Sequence, residues 1–320
     1  MALCTHNGAR FVEEQVSSIL NQSQVPDELV LSDDASTDGT VELVESLVAS
    51  TASLSLRVLR NSTPLGVVKN FEQAVRATSH DIVVLSDQDD RWHADRVART
   101  VAEFEAKPEL LLLHSDADLV DAAGDPLRAT MFESLEVSPS ELAGIATGGA
   151  FEVLIRRNLA LGASMAFRRT LLDCAVPFAT SWVHDEWLAI IAAAQGPGAV
   201  TVLTESLLDY RQHGANQIGA RKLSIGAKFA RLGEDRTTRN QRLAVASAEL
   251  VERVEALGGD SRFLTLARQK AEHERVRVGY PVSRWRRLGP VLKEWRSGRY
   301  ALSGRGFAAV IADILQPARR

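Results

Sequence analysis

Short apolar runs rich in β-formers alternate with helical stretches over the first 120 residues of the chain. This alternation is typical of a parallel sheet whose strands are joined by crossover helices, so the pattern predicts an α/β fold. The predicted strands cover residues 2–4, 28–32, 56–60, 82–86 and 110–114. The predicted helices cover residues 11–21, 40–50, 67–78 and 94–107, with Ser36, Asp38 and Gly39 as the N-cap arrangement of the second.

Polar side chains follow the predicted strands at the points where the strands end. Ligands of such sheets bind beyond the carboxyl ends of the strands, so these positions predict a binding site. They are Thr5, His6 and Asn7 after the first strand, Asp33 and Asp34 after the second, Asn61 after the third, and Asp87, Gln88, Asp89 and Asp90 after the fourth.

The fourth predicted strand runs directly into three carboxylates within four positions, Asp87, Asp89 and Asp90. Carboxylates this close repel one another unless a cation neutralises them. A hard divalent ion such as Mg²⁺ or Mn²⁺ would do so while also binding the oxygens of a diphosphate. The alternative interpretation is an acidic turn that caps the helix starting near Ala94.

Composition limits the class of protein. The chain has 320 residues, 45% of them hydrophobic, which suffices for a well-buried core. Its two cysteines, Cys4 and Cys174, are far apart, so we expect free thiols in a reducing compartment. No signal-peptide pattern opens the chain, and no apolar stretch reaches the roughly 18 residues of a membrane span. We therefore expect a cytoplasmic protein.

Charge is distributed unevenly around a net value of −4. Residues 221–320 hold 22 Lys and Arg against 10 Asp and Glu, and subtraction from the totals of 37 and 41 leaves 15 against 31 for residues 1–220. The basic part reads as amphipathic helices over residues 239–257 and 263–278, broken by Pro281 and by Gly289 with Pro290. Zinc-finger spacing and RNA-binding aromatic patterns are absent, so we expect no nucleic-acid partner.

Indole rings accompany the cations of this basic part, in the segments RWRR at 284–287 and WR at 295–296. Arg and Trp side chains together are typical of segments at a membrane surface. We therefore expect peripheral contact with the inner face of the plasma membrane. An ordinary solvated helical surface is the alternative.

Five segments in order resemble the family 2 inverting glycosyltransferases. LCTHNG at residues 3–8, LSDDASTDGT at 31–40 and DQDD at 87–90 are similar to the opening motifs of that family. Together with VHDEW at 183–187 and YRQHG at 210–214, the DQDD form resembles the bacterial rhamnosyltransferase branch of O-antigen and rhamnan assembly. The resemblance covers about residues 1–220. The first strand is several residues shorter than in these relatives, which indicates a late assigned start codon or a truncation.

The resemblance implies the glycosyltransferase A fold, a mixed central sheet flanked by helices. It implies a catalytic domain over residues 1–220, followed by a basic helical region over 221–320. The family's roles fall on residues present here. Cys4, Thr5 and His6 would form the platform for the base and ribose, Asp33 would accept from the pyrimidine ring, Asp87 would hold ribose or metal, Asp89 would bind the metal, and Lys69 with Asn70 would close over the nucleotide.

In the second half, the resemblance places a catalytic base at Asp185, with Glu186 as the rival. The acceptor hydroxyl needs such a base because it must lose its proton as it attacks the anomeric carbon. The alternative for Asp185 is an N-cap of the helix that follows. Arg211 and His213, on a predicted mobile loop over 207–217, would stabilise the leaving diphosphate. The implied acceptor residues are Gly162, Ser164, Met165, Glu186 and Trp187.

The resulting hypothesis is a nonprocessive, metal-dependent inverting transferase, since the Gln-x-x-Arg-Trp segment and membrane helices of processive synthases are absent. The expected donor is dTDP-rhamnose, with a UDP-sugar such as galactose or N-acetylglucosamine next. The expected acceptor is a glycan or a lipid-diphosphate-linked sugar. A sugar-nucleotide-forming nucleotidyltransferase is disfavoured because the N-terminus lacks a Gly-rich, basic loop for a triphosphate. A noncatalytic scaffold that keeps the fold is the remaining alternative.

Overall fold

The computed structural model describes residues 1–49, 51, 54–213, 236–303 and 306–317. Its first half alternates strands and helices, as the apolar pattern predicts. The strands are β1 (Ala2–Thr5), β2 (Glu28–Asp33), β3 (Ser55–Arg60) and β4 (Ile82–Ser86). The helices between them are α1 (Val12–Leu20), α2 (Thr40–Val48) and α3 (Val67–Ala77).

Of the elements that follow, the helix predicted at 94–107 and the strand predicted at 110–114 are present, whereas several shorter elements and the long final strand were not predicted from the pattern. The strands are β5 (Arg91–Trp92), β6 (Leu112–Val120), β7 (Pro126–Thr130), β8 (Ala166–Arg168) and β9 (Val200–Arg211). The helices are α4 (Arg96–Ala106), α5 (Met131–Ser134), α6 (Pro139–Ala146), α7 (Ala150–Leu154), α8 (Leu172–Ala175) and α9 (His184–Ala193).

The described strands form one mixed sheet in the order β3-β2-β1-β4-β8-β6-β9-β5, with β7 paired to β6. β1 pairs in parallel with both β2 and β4, so the carboxyl ends of these three strands meet at one edge. β8 then runs antiparallel to β4 and to β6. The mixed α/β fold predicted from the sequence is therefore confirmed.

Helices cover both faces of the sheet because alternate strand residues point to opposite sides. Ala2 and Cys4 of β1 join one buried cluster with α3 and α9, whereas Leu3 joins a second cluster with α1, α2 and α4. Val83 and Val84 of β4 divide in the same way. A sheet buried on both sides leaves its strand ends as the places where polar side chains can meet a ligand.

The expectation of a loop at residues 207–211 is wrong. Leu207–Arg211 was expected in a mobile loop, but these residues complete β9, which pairs in parallel with β6 and antiparallel with β5. The twelve residues of β9 pair with β6 between Val200 and Arg211, and β5 adds pairing on the other side at Leu208 and Asp209. Gln212 and His213 follow the strand, and the rest of the predicted loop, 214–217, lies outside the described residues.

The chain continues into four described helices after residue 235. They are α10 (Arg236–Ala256), α11 (Ser261–Val278), α12 (Arg284–Arg296) and α13 (Phe307–Leu315). α10 and α11 pack into the buried core of the α/β part, where Phe263 lies 4.7 Å from Phe151 of α7 between ring centroids. The predicted domain boundary at residue 220 falls among the residues that the structure does not describe.

α12 and α13 form a small unit of their own with a core of aromatic and aliphatic side chains. The expectation that Gly289 and Pro290 end the helix is wrong, because Pro290 lies inside α12. Pro290 and Arg286 are both exposed, so water can bond to the backbone carbonyl that the proline leaves without a donor. No described helix is both long and apolar enough to span a bilayer.

Arg287 holds this unit together from a fully buried position. Its guanidinium donates to the carbonyl oxygens of Pro281 at 2.6 Å and Val282 at 2.6 Å, at the start of α12. It also donates to Asp313 at 3.1 Å and Gln316 at 2.5 Å, at the end of α13. The two helix ends are therefore joined through one side chain.

We predict that Arg287→Ala lowers the free energy of unfolding by about 3 kcal/mol, since several buried carbonyls lose a charged donor at once. Arg286→Ala is the matched control, because Arg286 is exposed on the same helix and should change stability by less than about 0.5 kcal/mol. Urea unfolding followed by circular dichroism measures both. Equal stability of the two variants would contradict the assigned role of Arg287.

Candidate active site

The loops after β1 and β4 interlock through one glutamine. The backbone N–H of His6 donates to Oε1 of Gln88 at 2.8 Å, and Nε2 of Gln88 donates back to the carbonyl of His6 at 3.1 Å. Gly8 must be a glycine here, because a Cβ at that position would lie 2.3 Å from Oε1 of Gln88. We call residues 87–90, which contain Asp87, Asp89 and Asp90, the acidic segment. The predicted platform of Cys4, Thr5 and His6 is thereby fixed beside this segment.

Cys4 lies inside this junction. Burial raises the pKa of its thiol well above the usual range, and the charges of Asp87 and Asp34 add to the shift. Its side chain therefore stays protonated and apolar at neutral pH. The strand ends of β1, β2 and β4 converge around this position, as the sheet order requires.

The carboxylate of Asp33 is bonded within the protein. It accepts hydrogen bonds from the hydroxyl of Thr5 at 2.7 Å and from the backbone N–H of Ser36 at 2.8 Å. The start of α2 differs in detail from the predicted N-cap arrangement. The N-cap residue is Gly39, with φ of 86°, and Asp38 accepts hydrogen bonds from Thr40 although it lies outside the helix. These bonds fix the loop after β2.

Asp34 orients the approach to α3. Its carboxylate accepts from the backbone N–H groups of Leu65 at 2.6 Å and Gly66 at 2.9 Å. Asn70 is buried in α3 and its amide bonds to Ser32, whereas Lys69 is exposed one position earlier. Of the predicted nucleotide-closing pair, Lys69 thus faces solvent near the strand ends and Asn70 anchors its helix.

The acidic segment holds more negative charge than its described surroundings compensate. Burial raises the pKa of Asp87 to about 7, and the charges of Asp89 and Asp185 add to the rise. Burial, together with the charges of Asp89 and Asp87, also raises the pKa of Asp90 well above its usual range. Oδ2 of Asp90 has no hydrogen-bond partner among the described residues. Such a site favours a cation.

Arg96 is the buried cation behind the segment. Its guanidinium lies 3.8 Å from the centroid of the Trp92 ring and donates to the carbonyl of Leu85 at 3.2 Å. Burial lowers the pKa of Arg96 to about 9, although the charges of Asp90 and Asp87 oppose this shift. Arg96 therefore offsets part of the negative charge of Asp87 and Asp90.

Arg211 and His213 reach the segment from the end of β9. The backbone N–H of Arg211 donates to Asp90 at 3.1 Å, and its guanidinium donates to the carbonyl of Asp89 at 2.8 Å and to Glu14 at 2.5 Å. Nε2 of His213 lies 2.7 Å from Oδ2 of Asp89. Both predicted residues are thus brought to the acidic segment, and the buried Arg211 braces its backbone.

The donor set fits a hard divalent ion. Asp87 and Asp89 offer carboxylate oxygens, His213 offers a ring nitrogen beside Asp89, and the excess negative charge would be compensated. Another group that could hold a metal comprises His93, Asp118 and Asp209. Arg91 already forms an ion pair with Asp209, so this second group carries less uncompensated charge. We therefore favour the acidic segment.

Asp185 lies in the first turn of α9, where two backbone donors hold it. Its carboxylate accepts from the N–H of Glu186 at 2.6 Å and from the N–H of Gly162 at 3.1 Å. Burial nevertheless raises the pKa of Asp185 to about 6. A Cβ on Gly162 would lie 2.9 Å from Nε2 of His184 and 3.3 Å from Cβ of Asp185, so the close approach requires glycine.

The segment before β8 connects this carboxylate to the acidic segment. The carbonyl of Met165 accepts from the N–H of Leu85 in β4 at 3.0 Å, three residues beyond the Gly162 that bonds Asp185. Ser164 donates to the carbonyl of Ser115 at 2.7 Å. Asp185 and Asp87 are consequently neighbours, as the effect of Asp185 on the pKa of Asp87 shows.

The expected acceptor residues divide into two groups. Met165 and Trp187 are core side chains with 0% and 1% exposure, and Ser164 is bonded within the fold. Glu186 instead lines a cavity of about 90 Å³ between the α/β part of the chain and α10. Burial and the charge of Asp185 raise the pKa of Glu186 to about 7. The cavity also contains the side chains of Arg156, Asn158, Trp182 and Arg242.

A comparison with models of protein families identifies the family to which the chain belongs. Residues 2–172 match the family model described as glycosyl transferase family 2. The chain belongs to this family. Its strand-end carboxylates, Asp33, Asp87 and Asp89, lie within the matched part, and Asp185 follows it.

Individual members of the family act on different sugars. The chain is 27% identical over 243 residues to the dTDP-rhamnosyl transferase RfbG of Shigella flexneri, across 72% of this chain and 78% of that protein. It is 29% identical over 122 residues to the abequosyltransferase RfbV of Salmonella typhimurium, across 37% of this chain and 36% of that protein.

Solved structures of other proteins share the fold. Residues 1–349 of S. aureus TarS in complex with UDP-GlcNAc superpose with a TM-score of 0.59 at 15% identity, covering 98% of this chain and 88% of that one. The complex of the same TarS segment with UDP gives 0.58 at 16% identity. The glycosyltransferase A architecture with its C-terminal helices is thus confirmed.

Sequence reasoning missed three residues at this family 2 site. Glu14 on α1 bonds to Arg211, and Arg96 lies buried behind the acidic segment. Arg242 on α10 lies in the cavity with Glu186. Arg96 follows the acidic motif by six residues and could have been suspected from that spacing. Glu14 and Arg242 are brought in by tertiary folding and have no local signal.

Proposed function

We propose that the chain is a nonprocessive inverting glycosyltransferase that transfers rhamnose from dTDP-rhamnose with the help of Mg²⁺ or Mn²⁺. The observation that carries the proposal is the closeness of Asp185 to the acidic segment, through the bonds of Gly162 and Met165. One carboxylate faces the place where a metal and diphosphate would lie. One carboxylate on one side and a diphosphate site on the other suit a single displacement at the anomeric carbon.

In the proposed reaction, Asp185 accepts the proton of the acceptor hydroxyl as that oxygen attacks the anomeric carbon. The bond from this carbon to the diphosphate oxygen breaks on the opposite side, so the configuration inverts. Because burial raises the pKa of Asp185 to about 6, the carboxylate is ionised at neutral pH yet basic enough to take a proton. Glu186, with a pKa near 7, is the rival base.

The leaving diphosphate needs positive charge. Asp89 and Asp87 would hold a divalent ion, which would supply this positive charge. His213 beside Asp89 would share this role. Arg211 contributes by donating to the backbone carbonyl of Asp89 and to the carboxylate of Asp90, which keeps both residues in place.

The nucleotide would lie over the ends of β1 and β2. Cys4, Thr5 and His6 would form its platform, Asp33 would accept from the pyrimidine ring, and the exposed Lys69 would border it. A ligand at Asp33 would share its carboxylate with Thr5 and Ser36, which already donate to it. Exposed Lys69 is suited to contact a phosphate.

The acceptor would enter through the cavity beside Glu186. Arg156 and Arg242 line this cavity, so it can accept a sugar that carries an anionic group. A lipid-diphosphate-linked sugar has that chemistry, and its use would place the reaction at the inner face of the plasma membrane. Cell-surface polysaccharide assembly, including O-antigen, is the proposed setting.

The donor assignment rests on the similarity to the rhamnosyl transferase RfbG. A UDP-sugar, galactose or N-acetylglucosamine, is the second candidate, because a pyrimidine nucleotide would meet the same strand ends. A noncatalytic scaffold is disfavoured by the raised pKa values of Asp87 and Asp185, which leave buried carboxyl groups that stability alone does not need.

Release of nucleoside diphosphate from a panel of dTDP- and UDP-sugars tests the proposal. We predict turnover of dTDP-rhamnose with Mg²⁺ or Mn²⁺, loss of turnover in EDTA, and a decrease of at least about 100-fold in Asp89→Ala. Asp95→Ala, which changes an exposed carboxylate beyond the segment, is the control and should be neutral. If no sugar nucleotide is bound or turned over, the scaffold interpretation is correct.

The pH profile tests the base. We predict that kcat/KM falls about tenfold per pH unit below about 6, because protonated Asp185 cannot accept the proton. Asp185→Asn should lose at least about 1,000-fold in kcat while it still binds the donor. Glu186→Gln separates the rivals: a larger loss in this variant than in Asp185→Asn would move the base to Glu186.

A further inference from the structure

Exposed large apolar side chains are concentrated at the C-terminal helices. Thirteen such side chains are found among the described residues, and nine of them lie between residues 278 and 315. Trp285 is 84% exposed and Phe307 is 65% exposed. The nine are Val278, Val282, Trp285, Leu288, Leu292, Trp295, Phe307, Ile311 and Leu315. An apolar surface of this kind marks an interaction site.

On α12 these side chains lie on one side of the helix. Trp285, Leu288, Leu292 and Trp295 are spaced by three, four and three residues, which spans an arc of about 80° at about 100° per residue. The buried positions, Arg287, Val291 and Glu294, form a separate arc that faces α13 and the core of the unit. α12 therefore directs its apolar side away from the protein.

α13 repeats this arrangement. Phe307, Ile311 and Leu315 are exposed at spacings of four, whereas Ala309, Val310, Ala312 and Asp313 are buried. We call the exposed apolar residues of both helices the α12–α13 face: Trp285, Leu288, Leu292, Trp295, Phe307, Ile311 and Leu315.

The α12–α13 face belongs to one rigid body. Arg287 joins the start of α12 to the end of α13, and the hydroxyl of Tyr300 donates to Asp313 at 2.8 Å. Arg277 of α11 also donates to Asp313, at 2.7 Å, which ties the unit to the rest of the helices. The apolar side chains are consequently presented by the fold at fixed positions.

Exposed charge around the face has one sign. On α12, Arg284 lies at one border of the apolar arc, and Arg296, Lys293 and Arg286 lie at the other. The acidic residues between 278 and 315 are Glu294 and Asp313, and both are buried. Arg299 forms an ion pair with Glu294, and Arg277 forms one with Asp313. The described surface at α12 is therefore cationic.

We propose that the α12–α13 face docks on the surface of a bilayer containing anionic lipid. Indole and aliphatic side chains would enter the interfacial region, and the bordering Arg and Lys side chains would meet the headgroup phosphates. The cationic border is what favours lipid over a second copy of this chain, since two such faces would repel each other. The inference is independent of the proposed activity, because these residues lie outside the acidic segment and its cavity.

Cosedimentation of the full chain with vesicles tests docking without any donor. We predict binding to vesicles of phosphatidylglycerol and phosphatidylcholine, and binding weaker by about tenfold or more to phosphatidylcholine alone. The double variant Trp285→Ala/Trp295→Ala should bind the anionic vesicles at least about tenfold more weakly. Leu43→Ala/Val245→Ala is the matched control, because it removes exposed apolar side chains from elsewhere and should bind as the wild type does.

A charge variant and a lipid-free measurement complete the test. Arg284→Gln/Lys293→Gln should weaken binding to the anionic vesicles, and added salt should do the same to the wild type. Equal binding of the wild type and the tryptophan variant, with both folded by circular dichroism, would overturn the proposal. So would dimerisation through this face in analytical ultracentrifugation, abolished in the tryptophan variant, without affinity for vesicles. The tryptophan variant should retain donor turnover in solution, which separates this test from that of the proposed function.

Discussion

The mutual repulsion of three carboxylates at the end of β4 is the constraint around which the site is arranged. Burial disfavours the charged forms of Asp87 and Asp90, and Asp89 lies between them in the chain. Arg96 supplies one buried positive charge from α4, and β9 returns to the segment with Arg211 and His213. Without Arg96, Arg211 and His213, the repulsion of the three carboxylates would destabilise the end of β4.

This constraint explains the long course of β9. The strand pairs with β6 between Val200 and Arg211 and with β5 at Leu208 and Asp209, and this course brings Arg211 to the backbone of the acidic segment and to Glu14. On the opposite side, Gly162 and Met165 bring Asp185 next to Asp87. The residues proposed to bind the cation and the residue proposed to accept the proton thus lie on different elements, which meet at one edge of the sheet.

Much of the first half could be predicted because its signals are local. Each apolar run of β1 to β4 is followed by its polar loop, and the helices between them differ from prediction by one or two residues at their ends. β9 could not be identified as a strand in this way, because its pairing with β6 joins residues almost ninety positions apart. The burial of Arg287 and the helical position of Pro290 likewise depend on how α12 packs against α13.

The site itself was partly visible in the sequence. The acidic motif and Asp185 stand at recognisable positions, whereas Arg242 comes to the cavity beside Glu186 from a helix more than fifty residues later. Residues such as Asn70 and Trp187 resemble binding residues by position, yet the fold uses their side chains for packing and internal hydrogen bonds. Spacing alone does not distinguish these two uses.

Anomalous diffraction at the manganese edge, from crystals soaked with Mn²⁺ and dTDP-rhamnose, tests the central claim most directly. The account predicts an ion bound to the Asp89 carboxylate and bridging the diphosphate, with the anomeric carbon facing Asp185. An ion at His93, Asp118 and Asp209 with the acidic segment empty, or a sugar placed away from Asp185, would contradict it.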